Sequence, residues 1–162
     1  MMNIIILAVV AIVLFGLAFL SKRRFGTHGL ALAAGATLSG LWAEYIAVLL
    51  SSAALLPAGL KPEAVAAVLI TIAPALLLLL RGRKTKKVGM RLFGAVLFTV
   101  LALAFIVEPL ISLLPLDGGA NVIYVTLLDY RALIIGAALL VAVLDILLAK
   151  APKPVPEEKH RH

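Results

Sequence analysis

Residues 4–20 are apolar or glycine without exception, and the run is closed by Ser21-Lys22-Arg23-Arg24. A helix that crosses the hydrocarbon core of a bilayer needs about 20 predominantly apolar residues. The same alternation of long apolar run and basic cluster recurs along the chain. A second run covers residues 29–56, interrupted only by Trp42, Glu44, Tyr45 and small polar residues. A third covers 63–80, opened by Pro62, where a proline suits the first turn of a helix. Pro74 lies inside it and predicts a kink, which a lipid-embedded helix tolerates when neighbours satisfy the freed carbonyl. The fourth run, 92–114, is stopped by Pro115 and Asp117-Gly118-Gly119, and the fifth covers 132–149. Before the fifth, residues 121–131 are apolar but carry Asp129 and Arg131, which predicts an interfacial extension of that helix. None of these runs shows the two-residue alternation of a transmembrane barrel. The expected fold is an all-α integral membrane protein, a bundle of five transmembrane helices over residues 1–150.

Composition agrees. The 162 residues are 64% hydrophobic and 14% charged, with mean hydropathy +1.16. Soluble domains carry about 45–50% apolar and about 25% charged residues. A domain of this size leaves too much surface exposed to hide such a side-chain load from water. A soluble cytoplasmic enzyme is therefore excluded. The absence of cysteine excludes a disulfide-stapled secreted module.

The net charge of +7 invites a nucleic-acid reading, but the distribution of the charge gives another one. Lys22, Arg23 and Arg24 follow the first run. Arg81, Arg83, Lys84, Lys86, Lys87 and Arg91 separate the third and fourth, and Lys150, Lys153, Lys159 and Arg161 follow the fifth. Only Lys61 and Arg131 fall in the other two connections. Five spans with the amino terminus outside and the carboxyl terminus cytoplasmic put the thirteen on one side, as the positive-inside rule requires. The excess positive charge thus serves topology, and nucleic acid is not an expected partner. The first run has its positive charges after the apolar stretch, which predicts a retained signal anchor and not a cleaved signal peptide. Residues 151–162, with three prolines among charges, predict a disordered cytoplasmic tail. The stretch Arg81-Gly82-Arg83-Lys84-Thr85-Lys86-Lys87 would attract anionic lipid at about 1 kcal/mol per basic residue near the surface.

Helices associate in lipid through close backbone approach, so small residues at four-residue spacing predict a packing face. The second run supplies Ala31, Gly35, Ser39, Ala43, Ala47 and Ser51, which predicts a central position for this helix. The third run reads as a more peripheral, lipid-facing helix. A second copy of the chain or another membrane protein is the partner class such a bundle suits, beside the bilayer itself.

Three carboxylates fall inside the spans: Glu44, Glu108 and Asp145. An uncompensated charge at the bilayer centre costs at least about 2.5–3.5 kcal/mol, so each requires a partner, water or a proton. Counting from the run ends places Glu44, Glu108 and Arg131 at similar depths on three different helices, toward the outside. One reading is a structural Glu108–Arg131 ion pair, with Glu44 bonded to Tyr45 or the backbone. The other is a polar centre of all three, a proton- or cation-coupled site open to the outside, with the surplus carboxylate protonated or hydrated. Asp145, one turn from the cytoplasmic end, is expected to pair with Lys150 or the basic loop, and Glu63 suits the positive end of a helix dipole.

The chain lacks a cysteine nucleophile, and His160 and His162 lie in the tail. His28 sits at the boundary of the second run, so no histidine base lies within the spans. Thr37 stands where a serine-hydrolase turn through Ser39-Gly40 would need glycine. No Walker, Rossmann or zinc spacing occurs. A non-enzyme without cofactor or metal is expected.

The basic, glycine-bearing link from Lys22 to Gly29, the small-residue run LALAAGATLSG that follows, and Arg91-Leu92-Phe93-Gly94-Ala95-Val96-Leu97 after the basic loop form a recognisable series. It resembles the colicin V production (CvpA-like) membrane proteins, short bacterial inner-membrane proteins with four or five spans, over roughly residues 1–114. Asn3 stands where that family has aspartate, no glutamate follows His28-Gly29, and Phe98 takes the place of a second glycine with no arginine after it. The resemblance implies a bacterial inner-membrane location and a role in envelope function or toxin export support, with no binding residue carried over. The expected function is therefore a non-catalytic multi-pass accessory or assembly component. The alternative is a small transporter or channel subunit centred on Glu44, Glu108 and Arg131.

Overall fold

The computed structural model describes residues 2–21, 24–53, 56–57, 59–81, 88–113 and 119–148. The basic loop 82–87 and the tail 151–162, for which lipid attraction and disorder are expected, lie outside the described residues. Among the described residues every regular element is a helix: α1 (Met2–Ser21), α2 (Phe25–Ser52), α3 (Pro62–Arg81), α4 (Val88–Leu113), α5 (Gly119–Asp129) and α6 (Arg131–Leu147). Two of these, α2 and α4, are long and apolar enough to cross a membrane, and α5 with α6 makes a third if the bent pair is one span. The stretches Ile5–Ser21 and Pro62–Leu78 are apolar but shorter. These dimensions are compatible with a membrane location.

The structure gives the central place to α4, not to α2. It touches all five other helices, and Leu101, Ala102, Ala104 and Val107 are fully buried. The reason lies in the distribution of small side chains: Gly94, Ala95, Ala102 and Ala104 let neighbours approach on several sides of α4. Both helices also expose apolar side chains, α4 near its start at Leu92 and Phe93 and α2 toward its end at Leu41, Trp42, Tyr45, Val48 and Leu49. Phe25, Leu32, Phe98, Leu101 and Ile106 anchor the main core where α2 and α4 meet.

The small-residue stripe of α2 lies along α3. Ala31, Gly35, Ser39 and Ala47 are buried and Ala43 is half-buried. A Cβ at Gly35 would stand 2.2 Å from the Thr71 carbonyl oxygen and 2.9 Å from that of Ile70. Only a glycine admits this approach. Ile70 is also the residue whose carbonyl is deprived of its usual i+4 donor by Pro74, since proline has no N–H. Pro74 thus acts at the α2 seam: α3 runs on through it to Arg81, and the freed carbonyl meets the Cα–H side of Gly35, a weak but favourable contact. One turn along, the Ser39 hydroxyl donates to the Ala67 carbonyl at 3.3 Å. These contacts correct the peripheral placement expected for α3. It is the principal neighbour of α2.

Residues 119–129 are not a straight continuation of α6. They form α5, and the chain bends by 57° at Tyr130. The backbone ladder bridges the bend through Tyr130 N–H to Thr126 O (3.2 Å) and Ile134 N–H to Tyr130 O (2.9 Å). What holds α5 at this angle is Tyr124, fully buried against Val107 and Leu110 of α4, with Leu7 of α1 packed beside them.

Candidate functional site

Of the three residues placed at one depth by the sequence, the structure brings two together. Arg131 opens α6 and donates from Nη1 to Oε2 of Glu108, the residue before Pro109 on α4. The side chains are 40% and 66% exposed, respectively. Oε1 of Glu108 and the remaining donors of Arg131 have no partner among the described residues. Glu44 is not part of this pair. It is exposed and has no hydrogen bond or ion pair with Tyr45, Arg131 or any other described residue. It lines instead an open groove of about 630 Å³ between the end of α2 and the start of α3, with Ser51, Ser52, Pro62 and Glu63. Two carboxylates therefore face one groove while the third is paired elsewhere.

Asp145 finds a partner that counting along the sequence does not reveal. Its expected partners, Lys150 and the basic loop, lie outside the described residues, and the carboxylate binds the start of α2. Oδ1 accepts from Nη2 of Arg24 at 3.0 Å, and Oδ2 accepts from the Gly26 N–H at 2.9 Å. The local sequence explains why. The first N–H groups of a helix have no intrahelical acceptor, and Arg24, the N-cap residue in extended conformation, offers no side-chain cap. The carboxylate at the far end of α6 fills that role across the bundle, where the helix dipole also favours negative charge. A Cβ at Gly26 would lie 2.6 Å from the Ala142 carbonyl oxygen, so glycine is required for the approach.

Two further groups complete this end of the bundle. His28 is buried, its ring edge-on to Phe98 (centroids 6.4 Å apart, planes at 84°). Its Nδ1 lies 2.7 Å from the Arg24 carbonyl oxygen. A carbonyl only accepts, so the proton is on Nδ1. Arg91, assigned by the sequence to the basic loop, stands on α4. It donates from Nη2 to the Phe19 carbonyl at 2.9 Å, with its guanidinium 4.6 Å from the Phe19 ring centroid. It thereby meets one of the unsatisfied carbonyls at the end of α1 with a cation, as the dipole favours.

Among the described residues no group of three histidine or carboxylate side chains could hold a metal ion. The chemistry these side chains offer is ionic: a closed pair that caps a helix, an open pair with spare donors and an acceptor, and an acidic groove. Comparison with family models, with curated proteins and with solved structures gives no match.

Proposed function

We propose that this chain is a non-catalytic multi-pass protein of the bacterial inner membrane, an accessory or assembly component in envelope function or toxin export support. In this reading α1, α2, α3, α4 and the bent pair α5–α6 each cross the bilayer. The amino terminus is outside and the carboxyl terminus is in the cytoplasm. The observation that supports it is the construction of α2. Its first half is locked between two neighbours, α6 at Gly26 and α3 at Gly35 on opposite faces, while its second half presents Leu41, Trp42, Tyr45 and Val48 outward. A helix clamped over its first half and apolar and exposed over its second suits a framework that meets lipid or another membrane protein. The likeness to the colicin V production proteins points the same way, and the basic residues on the cytoplasmic side set the orientation.

Purified protein in liposomes tests the function. No proton or potassium flux above that of empty vesicles is expected, and Glu44→Gln is expected to change nothing. For topology, Gly118→Cys should react with an impermeant thiol reagent outside intact cells and Lys86→Cys should not. The reverse pattern would invert the orientation.

The second reading is a small transporter or channel subunit with Glu44, Glu108 and Arg131 as its polar residues, Glu44 acting from its own groove apart from the Glu108–Arg131 pair. One observation favours it: Glu44 faces an open groove that also holds Glu63, which gives the carboxylate access to water and cations. Flux that disappears in Glu44→Gln would establish this reading in place of the first.

A further inference from the structure

Where the end of α1 meets α4 and the start of α2, the bundle encloses a small cavity. Ser21 lines it from α1, Arg24 and His28 from the start of α2, and Gly94 and Ala95 from α4. Its volume is about 10 Å³. That is close to the smallest space that holds one water, provided at least two polar groups serve it. The wall supplies an acceptor and a donor. Ser21 gives its hydroxyl proton to the Ala18 carbonyl at 2.7 Å, which leaves its oxygen as an acceptor. Arg24 is engaged at one nitrogen and not at another. Nη2 donates to Asp145, whereas the Nε–H, buried although the side chain as a whole is 31% exposed, has no acceptor among the described residues. A buried donor on a charged group is costly to leave unmatched.

We propose that one ordered water occupies this cavity, accepting from the Arg24 Nε–H and donating to Ser21 Oγ. The water joins the last turn of α1 to the N-cap of α2. It also fixes the rotation of the guanidinium, because Nε and Nη2 belong to one rigid plane. With Nε held by the water, Nη2 is presented to Oδ1 of Asp145, so the cap that α6 gives to α2 is set from the α1 side. Gly94 makes the room. A Cβ there would meet Phe25 no closer than 3.4 Å, an ordinary contact, so packing against α2 does not itself require glycine. What a methyl group would take is the space of the water.

Two measurements on the full chain in lipid nanodiscs test this. A structure that resolves solvent is expected to show one water within about 3.2 Å of both Arg24 Nε and Ser21 Oγ. A dry cavity, or an Nε turned away from it, would overturn the proposal. The second measurement is thermal unfolding of Gly94→Ala. Alanine in place of a helical glycine ordinarily stabilises the helix. Here the midpoint is expected to fall by about 2–4 °C, because the methyl group expels the water and strands the Arg24 Nε–H. In an Arg24→Lys background, which keeps a cation for Asp145 but has no Nε–H, the same alanine is expected not to lower the midpoint. No fall in the unaltered background would mean that the cavity is empty. A fall in both backgrounds would mean that the alanine acts by steric conflict alone. Either result rules the water out.

Discussion

At its first residue α6 is tied to α4 by Arg131–Glu108, and near its last turn it is tied to α2 by Asp145–Arg24. The two pairs have the same chemistry and opposite surroundings. Arg24 and Asp145 are 31% and 20% exposed, and both oxygens of Asp145 are used, one by the guanidinium and one by the Gly26 N–H. In the other pair one oxygen of Glu108 and one nitrogen of Arg131 are engaged. The first is a helix cap delivered from a distant segment, and removing it leaves a charge and a backbone donor without partners. The second is a contact with capacity in reserve. Position in the bundle separates an ion pair that caps a helix from an exposed one with unused hydrogen-bonding capacity.

The comparison can be broken in several ways. Gly35→Leu sets the upper limit and involves neither pair. Its side chain meets backbone on α3, which cannot withdraw as a flexible side chain would, and the loss is expected to exceed about 3 kcal/mol, at the upper end for overpacking. Recovery of monodisperse protein from detergent should fall sharply. Unchanged recovery would mean that the α2–α3 seam opens in the native protein. Asp145→Ala comes next. A charged hydrogen bond and a helix N–H both lose their acceptor, and unfolding in mixed micelles should show a loss of about 2–3 kcal/mol. Glu108→Gln should cost less than about 1 kcal/mol, since exposed pairs contribute little, and 1 M salt should shrink that cost further. A cost equal to that of Asp145→Ala would erase the distinction between the two ends of α6. The smallest effect is expected at Gly136, midway between the pairs, where a Cβ meets nothing within 4 Å. Gly136→Ala should raise the unfolding free energy by about 0.5–1 kcal/mol, because it removes backbone freedom at no steric cost. A loss there would show that this face of α6 is covered.

Helix identity is largely legible along the chain, and partner identity is not. The start of α3 at Pro62 can be read directly, because proline at the first helical position and Glu63 in the first turn are local signals. The start of α2 at Phe25, earlier than the apolar run at residue 29, cannot be read locally, because its cap comes from Asp145 at the other end of the sequence. The meeting of Glu108 and Arg131 follows from counting residues to the ends of their helices. The separate position of Glu44 does not, since it depends on how α2 is rotated about its axis. The bend at Tyr130 has no glycine or proline to announce it and is held by the burial of Tyr124. Gly35 is conspicuous as one member of a small-residue stripe. That it meets the carbonyl released by Pro74 is visible only when α2 and α3 are placed side by side.

The sequence by itself determined that this chain is helical and suited to lipid. Apolar runs of this length leave backbone groups that only internal helical hydrogen bonds can satisfy, and the basic clusters bias which side each connection takes. Tertiary structure decided which helix is central, which carboxylate caps which helix, and which ion pair stays open. Those outcomes depend on the rotation and crossing of helices, which close-packed small residues fix to within a methyl group and which linear periodicity does not encode.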